Sequence, residues 1–265
     1  MIIQCNKQQI SDIENYIGNE YYKCLYLYLD LKQFGADSEY VTSWIQSHEG
    51  KITSVCLKYH TALHLYSKDN VFDVEELVNH INEVTPTIIC ASADTIKILS
   101  PYTTSKGFIP EYGHIGRFTS FEPSDPNVQI IKATLADVTE IAKLLYEDED
   151  IGASYSFDDL VAQMKERLTQ GFVRSYIIKD GNKVIAHFGT GAEVGKVCTI
   201  NYVITDNAYR GKGLSTNLFR YACKQLKEEG KEIYSVYYPE NSRRLHHKMG
   251  FEDCCECGKL FINIK

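Results

Sequence analysis

The run Val203-Ile-Thr-Asp-Asn-Ala-Tyr-Arg-Gly-Lys-Gly-Leu-Ser215 passes from apolar residues into two glycines and two cations, then directly into a helical repeat. Arg210, Gly211, Lys212 and Gly213 fall where the first amides of a helix have no intrahelical acceptor. Amide donors, the helix dipole and two cationic side chains therefore converge on one anion, and a pyrophosphate has the charge and the oxygens to meet them. Glycine suits the turn because a β-carbon hinders both a positive φ and close approach of backbone to phosphate. The helix itself is marked by Leu214, Leu218, Ala222 and Leu226 at four-residue spacing, widened by Phe219 and Cys223 and ended by Gly230.

Other chemistries fit less well. A nucleotide P-loop needs Gly-Lys-Ser/Thr, whereas Lys212 is followed by Gly213. Gly189-Thr-Gly191 with Gly195 precedes a strand at Val197 rather than a helix, so it reads as a hairpin connection and not a dinucleotide loop. Cys254, Cys255 and Cys257 lie in an alternating strand pattern with no second Cys/His pair at ligand spacing, and they read as small strand residues. No metal is expected.

The elements that must position the cradle follow from periodicity. Extended residues Val128–Ala133 precede a helix through Leu135, Val138, Ile141, Leu144 and Leu145, and a second helix spans Asp158–Thr169. Strands are expected at Val173–Lys179, Lys183–Thr190 and Val197–Thr205, with turns at Asp180–Asn182 and Gly191–Gly195. After the cradle helix come strand Glu232–Tyr238, a short helix from Asn241 to Gly250, and strands Glu252–Glu256 and Lys259–Ile264.

This order, together with Val203–Ser215 and the stretch Asn241–Phe251 ending in Lys-Met-Gly-Phe, resembles the GNAT N-acetyltransferase superfamily over residues 127 to 265. One departure stands in the loop: Ala208 occupies the place where the family usually has Gln or Arg. The resemblance implies an α+β fold with a mixed sheet and acetyl-CoA as co-substrate. Backbone groups of Val203, Ile204 and Thr205 would receive its pantetheine arm, and the amides of Arg210 to Ser215 its pyrophosphate. It also implies that Asn241, at a strand-to-helix junction, bonds the cofactor; Asn suits a helix N-cap on local grounds as well.

Acyl transfer to an amine sets its own demands. The amine attacks only as the neutral base, yet an ordinary ammonium with a pKa of about 10.4 is protonated at neutral pH. The tetrahedral oxyanion needs a donor, for which a backbone N–H of a splayed strand near Val203 is a candidate. The CoA thiolate leaves more easily when protonated. By the resemblance the acid position falls on His246, whose bland alternative is a helix histidine beside His247; Tyr237 and Tyr238 are alternative donors. The family's carboxylate base would fall on Val197, so Glu193 and His187, acting through water, are the candidate bases. Cys198 lacks an evident base partner, which favours direct attack in a ternary complex over a covalent intermediate.

Residues 1–122 form a second expected domain beside 127–265, with Phe121–Asn127 as the linker. Its helix near Gln8–Ile17 and apolar run Cys24–Leu31 lead into strands Tyr40–Gln46, Ile52–Lys58 and Ala62–Tyr66. A helix through Val74, Leu77, Val78 and Ile81, strand Thr87–Ala91, helix Ala93–Leu99 and strand Tyr112–Phe121 follow. This repeats the order of the second half, so the chain reads as a tandem whose first half is a smaller, degenerate GNAT-like domain. Where that half should carry its cradle stand Ser67 to Asp73, without glycine, so it is expected to shape the acceptor pocket or serve as scaffold rather than bind CoA.

Composition agrees with a soluble intracellular enzyme, and the resemblance implies a cytoplasmic acyl-CoA-dependent N-acyltransferase. Hydrophobic content of 44% supports real cores, the apolar runs are too short for a bilayer span, and no leader pattern opens the chain. Nine cysteines, an odd count without disulfide-like spacing, point to a reducing compartment. A net charge of −7 disfavours nucleic acid and suits a cationic amine acceptor. The competing readings are an aminoacyl-transferring tandem GNAT protein, against which the intact cradle argues, and a non-catalytic CoA-binding sensor. The acceptor's identity and the oligomeric state are not encoded in any motif.

Overall fold

The computed structural model describes residues 1–120, 124–125, 127–148, 152 and 156–262. Phe121, Glu122, Pro123 and Pro126 of the expected linker, and residues 263–264 of the expected last strand, lie outside the described residues. In chain order the elements are β1 (Ile2–Gln4), α1 (Ile10–Ile17), α2 (Leu25–Phe34), β2 (Val41–His48), β3 (Lys51–Tyr59) and β4 (Ala62–Tyr66). There follow α3 (Val74–Val84), β5 (Ile88–Ser92), α4 (Ala93–Thr103), β6 (Phe108–Phe118), β7 (Ile131–Lys132), α5 (Val138–Tyr146) and α6 (Phe157–Gln170). The chain continues through β8 (Ser175–Asp180), β9 (Lys183–Val194), β10 (Val197–Thr205), α7 (Leu214–Glu228), β11 (Glu232–Tyr237), α8 (Glu240–Lys248) and β12 (Phe251–Ile262). The succession β2-β3-β4-α3-β5-α4-β6 recurs as β8-β9-β10-α7-β11-α8-β12, a tandem of two α+β repeats.

Two compact units emerge, and neither is one continuous stretch of chain. The first comprises Met1–Gly116, Val236–Arg243 and residues 253–262; the second comprises the described residues of Arg117–Ser235 and Arg244–Glu252. The linear expectation of 1–122 and 127–265 therefore differs from the packing at β11, α8 and β12. The last two residues of β11, the first half of α8 to Arg243 and β12 from residue 253 fall in the first unit; in β12, Cys257–Phe261 pair antiparallel with Ser92–Ile88 of β5.

The first unit has strand order β1-β2-β3-β4-β5-β12-β6. Its apolar alternation buries Val55, Leu57, Leu63 and Leu65 against Ile13 and Ile17 of α1, Leu27 and Leu31 of α2, and Leu77 and Ile81 of α3. The last strand is one continuous β12 rather than the expected pair. Gly258 lets it pass without a turn: a Cβ there would sit 2.9 Å from Ile96 Cγ1 and 3.3 Å from the Glu111 carbonyl.

The second unit has strand order β11-β10-β9-β8-β7. The stripe read on α7 is its core face: Leu218, Ala222, Cys223 and Leu226 are fully buried among Phe188, Ile200, Ile233 and Phe251. Replacing such a leucine by alanine costs about 2–5 kcal/mol. On the other side α5 and α6 bury Ile141, Leu145 and Leu160 against Ile177, Val184 and Ile204. Strand β9 runs on to Val194, paired with Val197, so the expected turn at 191–195 tightens to the positive-φ Gly195 and its neighbour. Gly191 is a strand glycine there, since a Cβ would meet Thr199 Oγ1 at 2.8 Å.

Candidate functional site

The cradle is built by the end of β10, the loop after it and the N-terminus of α7. Gly213 caps α7 with φ 75°, and Gly211 stands at φ 79°, both in the left-handed region where glycine carries no Cβ penalty. A Cβ built on either would meet nothing within 4 Å, so open space faces both glycines. Among the described residues, none of the amides from Gly211 to Ser215 donates to another protein group; the first α7 bond is Asn217 N–H to the Gly213 carbonyl, at 3.0 Å. Five adjacent amides at a helix start thus fit a phosphate group.

The loop's shape is fixed from outside it. Asp206 accepts the Ala208 amide at 2.8 Å through Oδ1 and pairs with Lys183 at 2.6 Å through Oδ2. Hydrogen bonding from Lys183 leads the causes that hold this carboxyl below its ordinary range. Tyr209 donates to Asp180 at 2.6 Å. The β8–β9 hairpin therefore clamps the loop at two points. Asp180, Lys183, Asp206 and Tyr209 shape the loop, and motif reading passes over them because their partners are distant in sequence.

The two cations are turned onto their own chain. Arg210 donates through Nε to the Thr205 carbonyl at 3.3 Å and reaches Asp148 at 3.5 Å, and Lys212 lies 4.7 Å from the Tyr209 ring centroid. The backbone donors are accordingly the better-exposed part of the cradle. The hydroxyls of Thr205 and Ser215 bond each other across its floor. A hollow beside the loop is lined by Glu147, Asp148, Asp206 and Arg210.

Upstream, β10 is hydrogen-bonded to β11 only from Val197 to Thr199, opposite Glu232 to Tyr234, and continues alone to Thr205. On its other edge the ladder with β9 shifts between Asn201 (opposite Gly189) and Ile204 (opposite His187), so β10 carries one extra residue. Tyr202 takes φ 53° at this bulge, and among the described residues Val203 has no register partner on either side. Ile204 is buried, while Val203 and Thr205 are partly exposed.

The candidate acids and bases are placed less openly. His246 is 8% exposed and sits edge-on to Phe219 and Phe251, with Nε2 2.8 Å from Ser235 Oγ, which is the surrounding of a core histidine. Glu193 binds Arg174 through both oxygens at 2.7 and 2.6 Å and accepts from Thr190 at 3.0 Å, so its lone pairs serve an ion-pair network that also holds Glu229. His187 is fully buried between Ser175 and the Tyr202 carbonyl, and burial lowers its pKa to about 4. Tyr237 donates its hydroxyl to Asp253, which Arg243 grips at 2.6 and 2.8 Å. Tyr238 is half-covered, and desolvation pushes its phenol well above 10, so it keeps its proton at neutral pH. Asn241 lies in the first turn of α8 rather than before it, with Oδ1 accepting the Ser242 amide at 2.8 Å.

The first repeat closes the corresponding place. Asp73 caps α3 by accepting the Glu76 amide at 3.0 Å, the Asp73 amide donates to Gln46, and the Lys68 amide donates to Tyr16. A carboxylate already at that helix start repels an anion. Among the described residues no group of three or more His, Cys, Asp or Glu side chains could hold a metal ion, and no helix is long and apolar enough to cross a membrane.

The second unit is thus an α+β fold in which a bulged strand leads to bare helix amides. Residues 137–251 match the Acetyltransferase (GNAT) family model, and this stretch carries a GNAT domain. Nearly whole-chain likeness extends to solved structures: a Drosophila protein (10% identity, 100% of this chain and 99% of that one, TM-score 0.70) and a GNAT-family acetyltransferase from Colwellia psychrerythraea (9%, 98% and 98%, 0.62). A tandem GNAT protein from the clavulanic acid biosynthesis pathway is matched at 8% identity over 98% of this chain and 97% of that one, with TM-score 0.61. These likenesses describe the fold, a tandem GNAT architecture. A search of the curated proteins finds no match.

Proposed function

We propose that the chain is an acetyl-CoA-dependent N-acetyltransferase that acetylates a primary amine by direct attack in a ternary complex. The observation that carries this reading is the row of uncommitted amides from Gly211 to Ser215 at the start of α7, facing open space. Those amides would hold the pyrophosphate of CoA, with Val203 to Thr205 alongside the pantetheine arm. The chain's net charge of −7 supports a cationic acceptor class.

In the reaction the neutral amine nitrogen bonds to the thioester carbon while the carbonyl π pair moves onto oxygen, where a backbone N–H of the bulge offsets the charge. Collapse restores the carbonyl, breaks the C–S bond and releases the thiolate. The amine proton passes to water, and water returns one to sulfur. Glu193 and His187 are not exposed for proton transfer, and water serves as the base.

One observation favours a second reading, a CoA-binding sensor without turnover: the side chains expected as acid and base, His246 and Glu193, are both committed to internal partners. Incubation with acetyl-CoA and a panel of amines, following thiol release, separates the two. Turnover supports the enzyme, and CoA binding without turnover supports the sensor.

A further inference from the structure

Two side chains hold the Tyr202 bulge. Its amide donates to Asn201 Oδ1 at 3.0 Å, and its carbonyl lies 2.8 Å from His187 Nδ1. His187 is 0% exposed, with Nε2 3.1 Å from Ser175 Oγ on β8. A carbonyl can only accept, so Nδ1 carries the proton and Nε2 accepts from the Ser175 hydroxyl. Burial lowers the ring's pKa to about 4, which keeps it neutral and in this tautomer at working pH. Space for the imidazole comes from Gly189, where a Cβ would approach His187 Cε1 to 3.0 Å and the Asn201 carbonyl to 3.1 Å. Ser175, His187, Gly189 and Asn201, on three strands, thus converge on one residue in a conformation that a tyrosine rarely adopts unaided.

We infer that His187 is a positioning residue: its Nδ1–H, held on the Tyr202 carbonyl, locks the β10 bulge and so aims the Val203 amide at the oxygen of a bound thioester. The inference rests on the acetyl-CoA reading above and replaces His187's expected part as a base. Both ring nitrogens are spent, one donating and one accepting, so no proton moves through the ring. Its contribution is geometric, because an amide displaced from the developing oxyanion stabilises the transition state far less.

The test uses acetyl-CoA labelled with 13C at the carbonyl and the full-length protein. In wild type, isotope-edited infrared spectra are expected to show the bound thioester carbonyl at lower frequency than free acetyl-CoA. His187→Asn places an amide donor near the position of Nδ1 and is expected to keep the shift, whereas His187→Leu loses it. With hydroxylamine as the probe nucleophile, His187→Leu is expected to lower kcat by about 10- to 100-fold with KM for acetyl-CoA within about threefold, and His187→Asn to stay within about fivefold of wild type. If His187→Leu does not fold, Ser175→Ala, which frees the ring without removing it, is expected to weaken the shift. A full carbonyl shift in His187→Leu or Ser175→Ala, or equal kcat losses in the Leu and Asn variants, overturns the positioning role. Calorimetry on wild type tells the underlying reading apart: absence of acetyl-CoA binding removes the transferase itself.

Discussion

Lys183 Nζ stands 2.6 Å from Asp206 Oδ2, and the other oxygen of the same carboxylate receives the Ala208 amide. One side chain therefore ties the start of β9 to the glycine loop that leads into α7. Lys183 is half-exposed, so the ion pair itself is screened and contributes little. The amide bond is the larger part. Asp206→Ala is expected to destabilise the protein by about 1–2 kcal/mol in urea unfolding and to weaken acetyl-CoA binding, while Asp206→Asn, which keeps an acceptor for Ala208, stays close to wild type. Equal losses in both variants would transfer the effect to the charge.

Glu193 is expected to matter for stability and not for turnover. Its carboxylate and that of Glu229 converge on Arg174, whose side chain is 16% exposed. Glu193→Gln leaves that guanidinium partly unpaired and is expected to cost about 1–3 kcal/mol with kcat within about threefold of wild type. A hundredfold fall in kcat at unchanged stability would restore Glu193 as the base.

His246 makes the same contrast on α8. Its ring fills a place between Phe219 and Phe251, so His246→Ala is expected to cost about 2–4 kcal/mol from the lost packing and the lost Ser235 bond, by thermal or urea unfolding. Turnover per folded molecule stays unchanged. Loss of kcat with an intact melting temperature would make the ring the acid at sulfur.

Two buried histidines give the fold a defined acid response. His64 and His187 are each pushed from the ordinary 6.5 to about 4 by burial, so the native protein holds both neutral where the unfolded chain takes up protons. More protons bound in the unfolded state means that stability rises with pH; it is complete above 6.5 and is lost as pH falls from 6.5 toward 4. Between pH 7.5 and pH 5 each ring is expected to cost about 2 kcal/mol. Urea unfolding of His187→Asn should show roughly half the pH dependence that these two rings impose, and an undiminished dependence would place the titration elsewhere.

The cradle glycines and the α7 stripe are legible in sequence because each is a local rule: positive φ calls for glycine, and burial of one helix face calls for a four-residue period. The repeated element order is legible for the same reason, one element at a time. What depends on contacts between distant residues is not. Tyr202 carries no compositional mark of its left-handed backbone, which exists because His187 and Asn201 hold it. Gly258 resembles a break between two strands until Ile96 and Glu111 are found against it. His246 lies on a helix by pattern, yet only the facing phenylalanines decide that its ring turns inward.

The account's central claim is that the amides of Gly211 to Ser215 grip the pyrophosphate of CoA. Isothermal titration of acetyl-CoA into wild type and into the Gly211→Val, Gly213→Val double variant tests it most directly, because Val strains both left-handed positions and fills space in which a Cβ meets nothing within 4 Å. Saturable one-to-one binding in wild type, weakened at least tenfold in a variant that still unfolds cooperatively, is the predicted result. Equal affinity in the two proteins, or no binding in wild type, would contradict it.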